Sequence, residues 1–287
     1  MRTCLVVLNY NDSKRCLQVI EYGKKHQLFD EYVLVDNGSQ ENEKKFVKKN
    51  VQENIHLIEN SINLGYGAGH NVGLKYAVDK LKCDYIFVVV SDIKYTSILI
   101  DECIKVLEAN LDIGAVSCRM KKPNGEEEIS AWRSPTYISF LCWCYPLLRR
   151  IGGIKGYTYN DDDDRIKIVD VIRGSFLCFR AKALKEADYF DENIFMYNEE
   201  NALACRLRDE GYKLAQLTDV YYIHDHIEHG MKKRSTWKRI CKEAESGVYF
   251  MHKYNKINGM KLYLLKISTY FLCCYRYLGR ILKNKFK

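Results

Sequence analysis

The chain has 287 residues, of which 47% are apolar and 29% are charged, and three prolines, a composition that excludes a disordered chain and allows a large core. The net charge of +8 is uneven, because residues 231–287 carry 15 Lys and Arg against two acidic residues, whereas the other residues carry 30 basic and 35 acidic ones. The positive charge therefore belongs to the C-terminal tail.

The N-terminal run MRTCLVVLNYN is too short and too soon interrupted by Asn9 and Asn11 for a secretion signal, which predicts a cytoplasmic protein. The spacings of the 12 cysteines match no zinc pattern. They are therefore expected to be reduced thiols that fill small apolar positions of the core.

Four apolar runs with strand character follow one another in the first third of the chain, namely CLVVLNY, YVLVDN, IHLIEN and YIFVVVSD. Segments with helical spacing separate them. Strands that alternate with helices predict an α/β domain with a mainly parallel sheet, beginning at residue 1.

The later part of the chain is less uniform. A helix over residues 98–110, a fifth strand GAVSCRM and a strand VDVIRGSFLCFR broken at Gly174 are predicted, and residues 132–165 lack periodicity, which is typical of a mobile loop or lid. The consecutive acids at 161–164 are interpreted as a solvated face. A helix that begins near Glu199 and Glu200 should stop at Gly211.

Polar residues end several of these strands. Asn9 and Tyr10 end the first, Asp36 the second, and Ser91 and Asp92 the fourth. Because the carboxyl ends of strands in an open parallel sheet line the ligand crevice, these residues should meet at one edge. Each residue alone is more often a helix cap.

A loop with four glycines, NLGYGAGHNVG, follows the third strand and precedes a helix. Glycines there allow a ligand to approach backbone N–H groups closely. The spacing G-x-G-x-x-G is absent and the loop begins too far from the strand, so a dinucleotide-binding turn is not predicted.

A family resemblance is carried by these segments together, in the order VVLNYN, VLVDNGS, N-x-G-Y-G-x-G-x-N-x-G, VVVSDI, GSFLCFR, FDENIFMYNEE and IHDH. In that order they resemble the glycosyltransferase family 2 enzymes with the GT-A fold, a nucleotide-binding Rossmann-like α/β domain with a mainly parallel mixed sheet. The enzymes most alike build bacterial surface polysaccharides, and some transfer rhamnose. The resemblance covers about residues 3–230, and it implies transfer of a sugar, with inversion, from a nucleoside diphosphate donor.

The resemblance also implies roles for individual residues. The residues implied to bind the nucleotide are Asn9, Tyr10, Asp36, Asn63, Gly65, Asn71 and Ser91. Arg173 and Gly174 match the acceptor-side loop.

A divalent cation, Mn²⁺ or Mg²⁺, is implied at Asp92, which matches the last acid of the family's Asp-x-Asp motif, and at His224, which matches a late histidine. The first position of that motif is Val90 here. A hard cation held by a carboxylate and phosphate oxygens would offset the charge of a leaving diphosphate.

The general base of the family aligns with Glu200, which follows Glu199. The family has Asp at the position of Glu200 and a further acid at the position of Ala202. The alternative is that both glutamates only favour a helix N-terminus. The departures at Val90 and Ala202 also keep open a degenerate protein that binds nucleotide sugars without turnover, and a sugar nucleotidyltransferase on a related fold is the second alternative.

The basic tail, residues 231–287, is predicted to form amphipathic helices after a catalytic domain at 1–230. From Lys261 onward one side of the helix carries positions 266, 269, 273, 276, 280, 283 and 287, and the opposite side carries Leu264, Ile267, Phe271, Leu278 and Ile281. Such a helix suits the surface of an anionic membrane and is too short in its apolar run to span one. A lipid-linked acceptor at the inner face of the cell membrane is therefore expected, with no nucleic-acid partner. Packing of this helix on the catalytic domain is the alternative.

Overall fold

The structure is a computed structural model, and it describes residues 1–52, 54–148, 164–225 and 237–285. The described residues form a mixed ten-stranded sheet with helices on both faces, a two-stranded sheet, and two long helices at the C-terminal end.

The first third of the chain alternates strands with helices, as the apolar periodicity predicted. Its elements are β1 (Thr3–Asn9), α1 (Ser13–Lys25), β2 (Glu31–Asn37), α2 (Glu41–Asn50), β3 (His56–Asn60), α3 (Tyr66–Asp79) and β4 (Tyr85–Val89). The strand pairs β1–β2, β2–β3 and β1–β4 are all parallel. The crossover helices between them are what parallel pairing requires.

The middle of the chain departs from the predicted loop. Its elements are β5 (Ile93–Lys94), α4 (Ser97–Ala109), β6 (Ile113–Lys121), β7 (Glu127–Glu128), β8 (Ala131–Trp132), α5 (Tyr137–Cys144) and α6 (Pro146–Leu148). Helices α5 and α6 lie where the sequence predicted a lid, and Thr136 begins α5 with a capping box to Ser139. Residues 149–163 of the predicted lid, which include 161–163 of the acidic run, lie outside the described residues.

The last third contains β9 (Ile166–Val169), β10 (Val171–Ile172), β11 (Phe176–Arg180), α7 (Ala181–Glu186), α8 (Glu199–Asp209), β12 (Lys213–His224), α9 (Trp237–Lys253) and α10 (Gly259–Lys285). The predicted break at Gly174 is confirmed, because β10 and β11 belong to different sheets. The predicted stop of α8 is also confirmed, since Gly211 has a φ of +81° two residues after the helix ends.

The strand order of the large sheet is β3-β2-β1-β4-β11-β6-β12-β5, and β7 and β9 pair with β6 and β12. Strand β11 is antiparallel to β4 and β6, whereas β6 and β12 are parallel. The sheet is therefore mixed, as expected, and its parallel pairs are those among β1 to β4 and the pair β6–β12.

Side chains of the sheet alternate between two apolar cores. Leu5 and Val7 of β1 face the core beneath α1 and α4, while Cys4 and Val6 face the core beneath α3, α7 and α8. This alternation follows from the two-residue period of a strand. The sheet is thus covered on both faces, which leaves its edges for a site.

Helices α9 and α10 pack on the rest of the protein. Their part of a further apolar core comprises Phe250, Met251, Leu265 and Leu272, which contact Phe140 of α5 and Ala202 of α8. The predicted boundary at residue 230 lies outside the described residues. One side of α10 packs on the rest of the protein, and this was the alternative to a helix that lies on a membrane.

The sides of α10 are oriented in a way that the sequence did not reveal. Thr269 and Cys273, on its predicted basic side, are buried, and Arg276 forms a 2.9 Å ion pair with Glu243 of α9. The predicted apolar side points outward, and Ile281 there has no described side chain. Among the described residues, no helix is long and apolar enough to cross a membrane.

Candidate active site

The carboxyl ends of β1 and β2 meet at one edge of the sheet, as predicted. Asn9 and Asp36 are in register, and Nδ2 of Asn9 donates a 2.7 Å hydrogen bond to Oδ1 of Asp36. Their exposed fractions are 0% and 1%, whereas Tyr10 is 52% exposed. The two buried residues therefore form the floor of this edge, and Tyr10 offers the exposed surface that a nucleotide base could contact.

Asn37, which the sequence analysis did not single out, orders the glycine-rich loop. Its Nδ2 donates to the carbonyl oxygen of Gly65 at 2.9 Å and to Oδ1 of Asn63 at 3.2 Å, and its Oδ1 accepts from the N–H of Leu64 at 3.1 Å. A buried asparagine can use both donors and its acceptor in this way. The sequence did contain a signal for Asn37, namely its position directly after Asp36 at the end of β2.

Gly65 allows the glycine-rich loop to approach the segment that leads into α8. It has a φ of +93°, and a Cβ there would overlap the carbonyl oxygen of Phe195. The N–H of Tyr66 donates to that same oxygen at 2.9 Å. The loop is thereby fixed beside the N-terminus of α8, where Glu199 and Glu200 lie.

Asn71, which the resemblance implies as a nucleotide ligand, is buried and hydrogen-bonded within the protein. Its Nδ2 donates to the carbonyl oxygen of Phe190 at 2.9 Å and to Oε1 of Glu192 at 3.0 Å, and its Oδ1 accepts from the N–H of Phe190 at 3.0 Å. The residue is 1% exposed. Because its amide is used within the protein, Asn71 joins α3 to the turn before α8, which is a structural role.

The two residues predicted at the cation are brought together. Nε2 of His224 lies 3.1 Å from Oδ1 of Asp92, although the residues are distant in sequence. Nδ1 of His224 lies 3.3 Å from the sulfur of Met120. The side chain of Asp92 is 23% exposed and that of His224 is 7% exposed, so the carboxylate is the more accessible group.

Ser91 contacts a charged pair at the same edge. Its hydroxyl donates a 2.5 Å hydrogen bond to Oδ2 of Asp12, whose Oδ1 accepts from Nε of Arg15 at 2.8 Å. Arg15 and Asp92 both line a cavity of about 470 Å³. Arg15, in the first turn of the helix after β1, is a cation that the sequence analysis missed.

These residues fit a cation that is shared with a diphosphate. Among the described residues, no group of three or more His, Cys, Asp or Glu side chains could hold a metal ion. Asp92 and His224 offer a carboxylate oxygen and an imidazole nitrogen, and cations bound with substrate phosphates take few protein ligands. The side chain of Val90 has no atom that could bind a cation, and it packs against the apolar core.

The two predicted catalytic glutamates begin α8. Asn198, which precedes them, has a φ of +66°, and this left-handed turn starts the helix. Oε1 of Glu200 accepts a 3.3 Å hydrogen bond from the N–H of Gly174, and the Gly174 carbonyl oxygen accepts from the hydroxyl of Tyr66 at 2.5 Å. Tyr66 is a third contact that the sequence analysis missed.

Gly174 is needed for this arrangement. A Cβ on Gly174 would lie 2.9 Å from the hydroxyl oxygen of Tyr66 and 3.1 Å from Oε1 of Glu200. The neighbouring Arg173 donates from Nε to the carbonyl oxygen of Ile129 at 2.8 Å. The predicted acceptor-side residues thus lie against Glu200.

Both carboxyl groups hold a proton more tightly than an exposed glutamate does, because their pKa values are raised. Burial raises the pKa of Glu200, although hydrogen bonds from backbone N–H groups and the charge of Arg173 oppose this shift. Burial, and then the nearby charge of Glu200, raise the pKa of Glu199 well above its usual range. Oε2 of Glu199 is buried without a hydrogen-bond partner among the described residues. A carboxyl with a raised pKa suits proton transfer near neutral pH.

Both glutamates line a cavity of about 360 Å³. Aromatic side chains make up much of its wall, namely Trp132, Phe140, Trp143 and Tyr197. Aromatic ring faces carry a negative potential and pack against the C–H groups on one side of a sugar ring. The cavity therefore suits a saccharide whose hydroxyl group would lie near Glu200.

An α/β fold with a polar edge after β4 and a carboxylate-lined cavity beside α8 defines a glycosyltransferase of the GT-A type. The family model described as Glycosyl transferase family 2 matches residues 4–186. The match extends over more than half of the chain, and the chain belongs to that family.

Two relatives are similar in sequence. The low-salt glycan biosynthesis hexosyltransferase Agl10 of Haloferax volcanii is 27% identical over 195 residues, which cover 68% of this chain and 59% of Agl10. Uncharacterized protein MJ0544 of Methanocaldococcus jannaschii is 29% identical over 250 residues, covering 86% of this chain and 97% of MJ0544. The chain thus spans less than two thirds of the length of Agl10.

Solved structures share the fold at low sequence identity. GalNAc-T7 with UDP, GalNAc and Mn²⁺ superposes with a TM-score of 0.61 at 12% identity, over 89% of this chain and 49% of that one. The mannosyltransferase PcManGT of Pyrobaculum calidifontis with GDP-Man and Mn²⁺ gives a TM-score of 0.55 at 15% identity, over 95% of this chain and 73% of that one. These matches confirm the predicted fold class.

Proposed function

We propose that this glycosyltransferase moves a sugar, with inversion, from a nucleoside diphosphate donor to a hydroxyl of a lipid-linked saccharide. Glu200 is the general base, and Asp92 and His224 hold a divalent cation, Mn²⁺ or Mg²⁺. The observation that carries the proposal is the position of Glu200, a partly buried carboxyl that lines an aromatic cavity and whose raised pKa suits a base.

The donor side of the proposal is supported by the sheet edge. The Asp92 carboxylate and the His224 imidazole lie together at the end of β4, and Arg15 adds a positive charge to the cavity that Asp92 lines. The solved structures with the same fold contain UDP or GDP-Man together with Mn²⁺. A divalent cation at Asp92 and His224 would attract the negative charge of a nucleoside diphosphate to this edge.

The chemistry needs a base on one side of the sugar and a counter-charge on the other. Glu200 accepts the proton of the acceptor hydroxyl, and the oxygen attacks the anomeric carbon as the bond to the diphosphate breaks on the opposite side. A bound cation supplies positive charge for the leaving diphosphate. Gly174 positions the carboxylate through its N–H, and attack from the opposite side inverts the anomeric configuration.

The variant Glu200→Gln tests the base. Transfer from a panel of nucleotide sugars, measured by release of nucleoside diphosphate, should fall by about a hundredfold or more because Gln cannot accept the proton. Glu210→Gln is the matched control, since Glu210 is exposed directly after the same helix. Full transfer by Glu200→Gln would show that another group is the base.

We also propose that the enzyme acts at the inner face of a cell membrane, in the synthesis of a surface or capsular polysaccharide. The outward apolar side of α10 and the basic tail support the membrane contact. The role in polysaccharide synthesis rests on the family resemblance and on the relative that makes a glycan.

A further inference from the structure

Helix α5 is apolar on every side although it lies at the protein surface. Its sequence, YISFLCWC, contains no charged residue. Phe140 and Cys144 face the core shared with α9 and α10. Trp143 lines the cavity of about 360 Å³ beside Glu200, which we call the acceptor cavity. On the other side, Ile138 is 71% exposed. A helix that is hydrophobic all round is normally covered on all sides.

The outward side of α10 is apolar along most of the helix. Met260, Leu264, Ile267, Phe271 and Leu278 recur at helical spacing, and each is at least 47% exposed. The opposite side of α10 is the buried one, with Leu265 and Leu272 in the core. The fold therefore uses one side of α10, and the second apolar stripe is exposed in the part of the chain that the structure describes.

The exposed sides of α5 and α10 are continuous with each other. The hydroxyl of Tyr137 at the start of α5 donates to the carbonyl oxygen of Lys261 at 3.3 Å. At the other end of α5, the ring of Tyr145 stacks on Phe271 with the ring centroids 5.6 Å apart. The two helices therefore run side by side, and Leu147 of α6, the short helix directly after α5, is 67% exposed.

We call this region the docking face and define it by its exposed apolar side chains. They are Ile138, Leu147 and Leu148 on α5 and α6, and Met260, Leu264, Ile267, Phe271 and Leu278 on α10. A contiguous apolar area of this kind is unusual on a soluble surface and marks an interaction site.

The chemistry at the margins of the docking face favours a lipid bilayer as its occupant. Tyr263, Tyr270 and Tyr277 are exposed next to the apolar stripe, and tyrosines prefer the boundary between lipid and water. Lys261 and Lys266 are exposed on the same helix, within a tail that carries 15 basic and two acidic residues. Apolar and basic character together are what an anionic membrane surface binds.

We propose that the docking face lies on an anionic bilayer and that α5 separates the bilayer from the acceptor cavity. Ile138 contacts lipid on one side of α5, while Trp143 and Phe140 contact the cavity on the other. A lipid-linked saccharide then reaches Glu200 by passing along α5. The contact of α5 with lipid extends the membrane placement of the proposed function, and the route of the acceptor rests on that function.

Vesicle binding tests the contact. The full chain should sediment with phosphatidylcholine vesicles that contain phosphatidylglycerol, and less with phosphatidylcholine alone. Ile138→Glu and Leu264→Glu should each weaken binding by about tenfold, because a charge replaces buried apolar surface. Leu111→Glu is the matched control, since Leu111 is 76% exposed in the turn after α4 and lies outside the docking face.

Ile138→Glu decides whether α5 belongs to the docking face, because this residue lies outside the basic tail. Binding of Ile138→Glu equal to that of the parent would overturn the proposal, as would absence of parent binding to either vesicle. A parent dimer in light scattering that Ile138→Glu and Leu264→Glu dissociate would also overturn it, since the occupant would then be a second copy. Ile138→Ser gives a milder change if the charged variant fails to fold.

The acceptor route has its own measurement. Ile138→Glu should lose about tenfold in transfer to a lipid-linked saccharide in vesicles and keep transfer to the same saccharide without lipid. Equal loss with both acceptors, or no loss with either, would overturn the route. If the parent neither hydrolyses nor transfers from any nucleotide sugar, the proposed function fails, while vesicle binding still reports on the docking face.

Discussion

Asp92 and His224 are separated by 132 residues, and yet their side chains lie 3.1 Å apart. The backbone creates this contact, because β5 pairs with β12 in an antiparallel register that sets Ile93 opposite His224. The N–H of Asp225 also donates to the carbonyl oxygen of Asp92 at 2.7 Å. A carboxylate and an imidazole that are fixed by strand pairing are pre-organised for a shared ligand.

The variant Asp92→Asn tests the cation site. Removal of the charge should weaken the binding of UDP or GDP in the presence of Mn²⁺ by about tenfold or more, and should abolish most of the difference between binding with and without Mn²⁺. Calorimetric titration measures both quantities.

Asp219→Asn is the control for the cation site. Asp219 lies on the same strand as His224, and its side chain is 45% exposed in an ion pair with Arg165. This control should bind nucleotide as the parent does. An Asp92→Asn protein that keeps the parent's Mn²⁺ dependence would contradict the assignment.

Glu199 should make the stability of the protein dependent on pH. Burial, and then the charge of Glu200, raise the pKa of Glu199 well above the ordinary value of 4.5. The folded protein therefore holds this proton more tightly than the unfolded chain. The resulting stability is complete below the ordinary pKa and is lost as the pH rises through the raised pKa.

Glu199→Gln removes that loss because glutamine stays neutral. At neutral pH the variant is expected to be more stable than the parent by roughly 1–3 kcal/mol, and the difference should shrink as the pH falls below the ordinary pKa. Urea denaturation at several pH values measures the free energies of unfolding. Glu210→Gln, at an exposed position, should match the parent throughout, and a Glu199→Gln protein with the parent's pH profile would refute the argument.

Periodicity predicted the helices whose two sides differ in polarity, and continuous apolar runs predicted the buried strands. The runs CLVVLNY and YVLVDN became β1 and β2 because uninterrupted β-branched and apolar residues fit a sheet that is covered on both faces. The polar residues at their ends, Asn9 and Asp36, follow from the same geometry, and the resemblance to a family identified Glu200 and Asp92.

Periodicity could not predict α5 or the orientation of α10. Helix α5 has no polar side, so its helical period is invisible in the sequence. For α10 the sequence shows an apolar side but not that the fold buries the other one, around Thr269 and Cys273. The contacts of Asn71 with Phe190 and Glu192 could not be predicted, because these partners are more than a hundred residues away.

Gly65→Ala should be much more harmful than an equivalent change elsewhere. Gly65 has a φ of +93°, and the added Cβ would meet the carbonyl of Phe195. Gly65 combines its positive φ with a ψ of −176°, a backbone conformation that is essentially restricted to glycine and costs about 1–3 kcal/mol for alanine. The overlap adds about 1–3 kcal/mol. The free energy of unfolding and the activity should both fall, because the shift moves the loop beside α8.

Gly125→Ala separates the two costs. Gly125 has a φ of +86°, and an added Cβ would meet no atom within 4 Å. This control should therefore lose only the backbone part of the stability and keep its activity. Equal unfolding free energies for the two variants in chemical denaturation would show that the contact with Phe195 is unimportant.

Asp191 links α9 to the catalytic domain, so its removal should loosen the C-terminal helices. Asp191 is fully buried, and its Oδ2 accepts hydrogen bonds from Lys253 at 2.7 Å and from Tyr254 at 2.8 Å. Burial alone would raise the pKa of Asp191, but hydrogen bonds from Lys253 and Asn193 outweigh it and hold the pKa well below its usual range. The stability that this carboxylate contributes is therefore present above the ordinary pKa of 3.8 and is lost as the pH falls through the lowered value.

Asp191→Asn removes the carboxylate charge opposite Lys253, whose side chain is 41% exposed and also contacts the hydroxyl of Tyr249 at 3.0 Å. Because solvent screens the ammonium group, the expected loss is that of a hydrogen bond to a charged group, about 1.5–3 kcal/mol. Limited proteolysis should then cut between α8 and α9 faster than in the parent, and urea denaturation should show the loss of stability at neutral pH. Asp188→Asn is the control, because the side chain of Asp188 is 85% exposed. If Asp191→Asn resists protease and urea as the parent does, the ion pair has no part in holding α9. The helix would then be held by its apolar contacts alone, among them those of Phe250 and Met251 in the core.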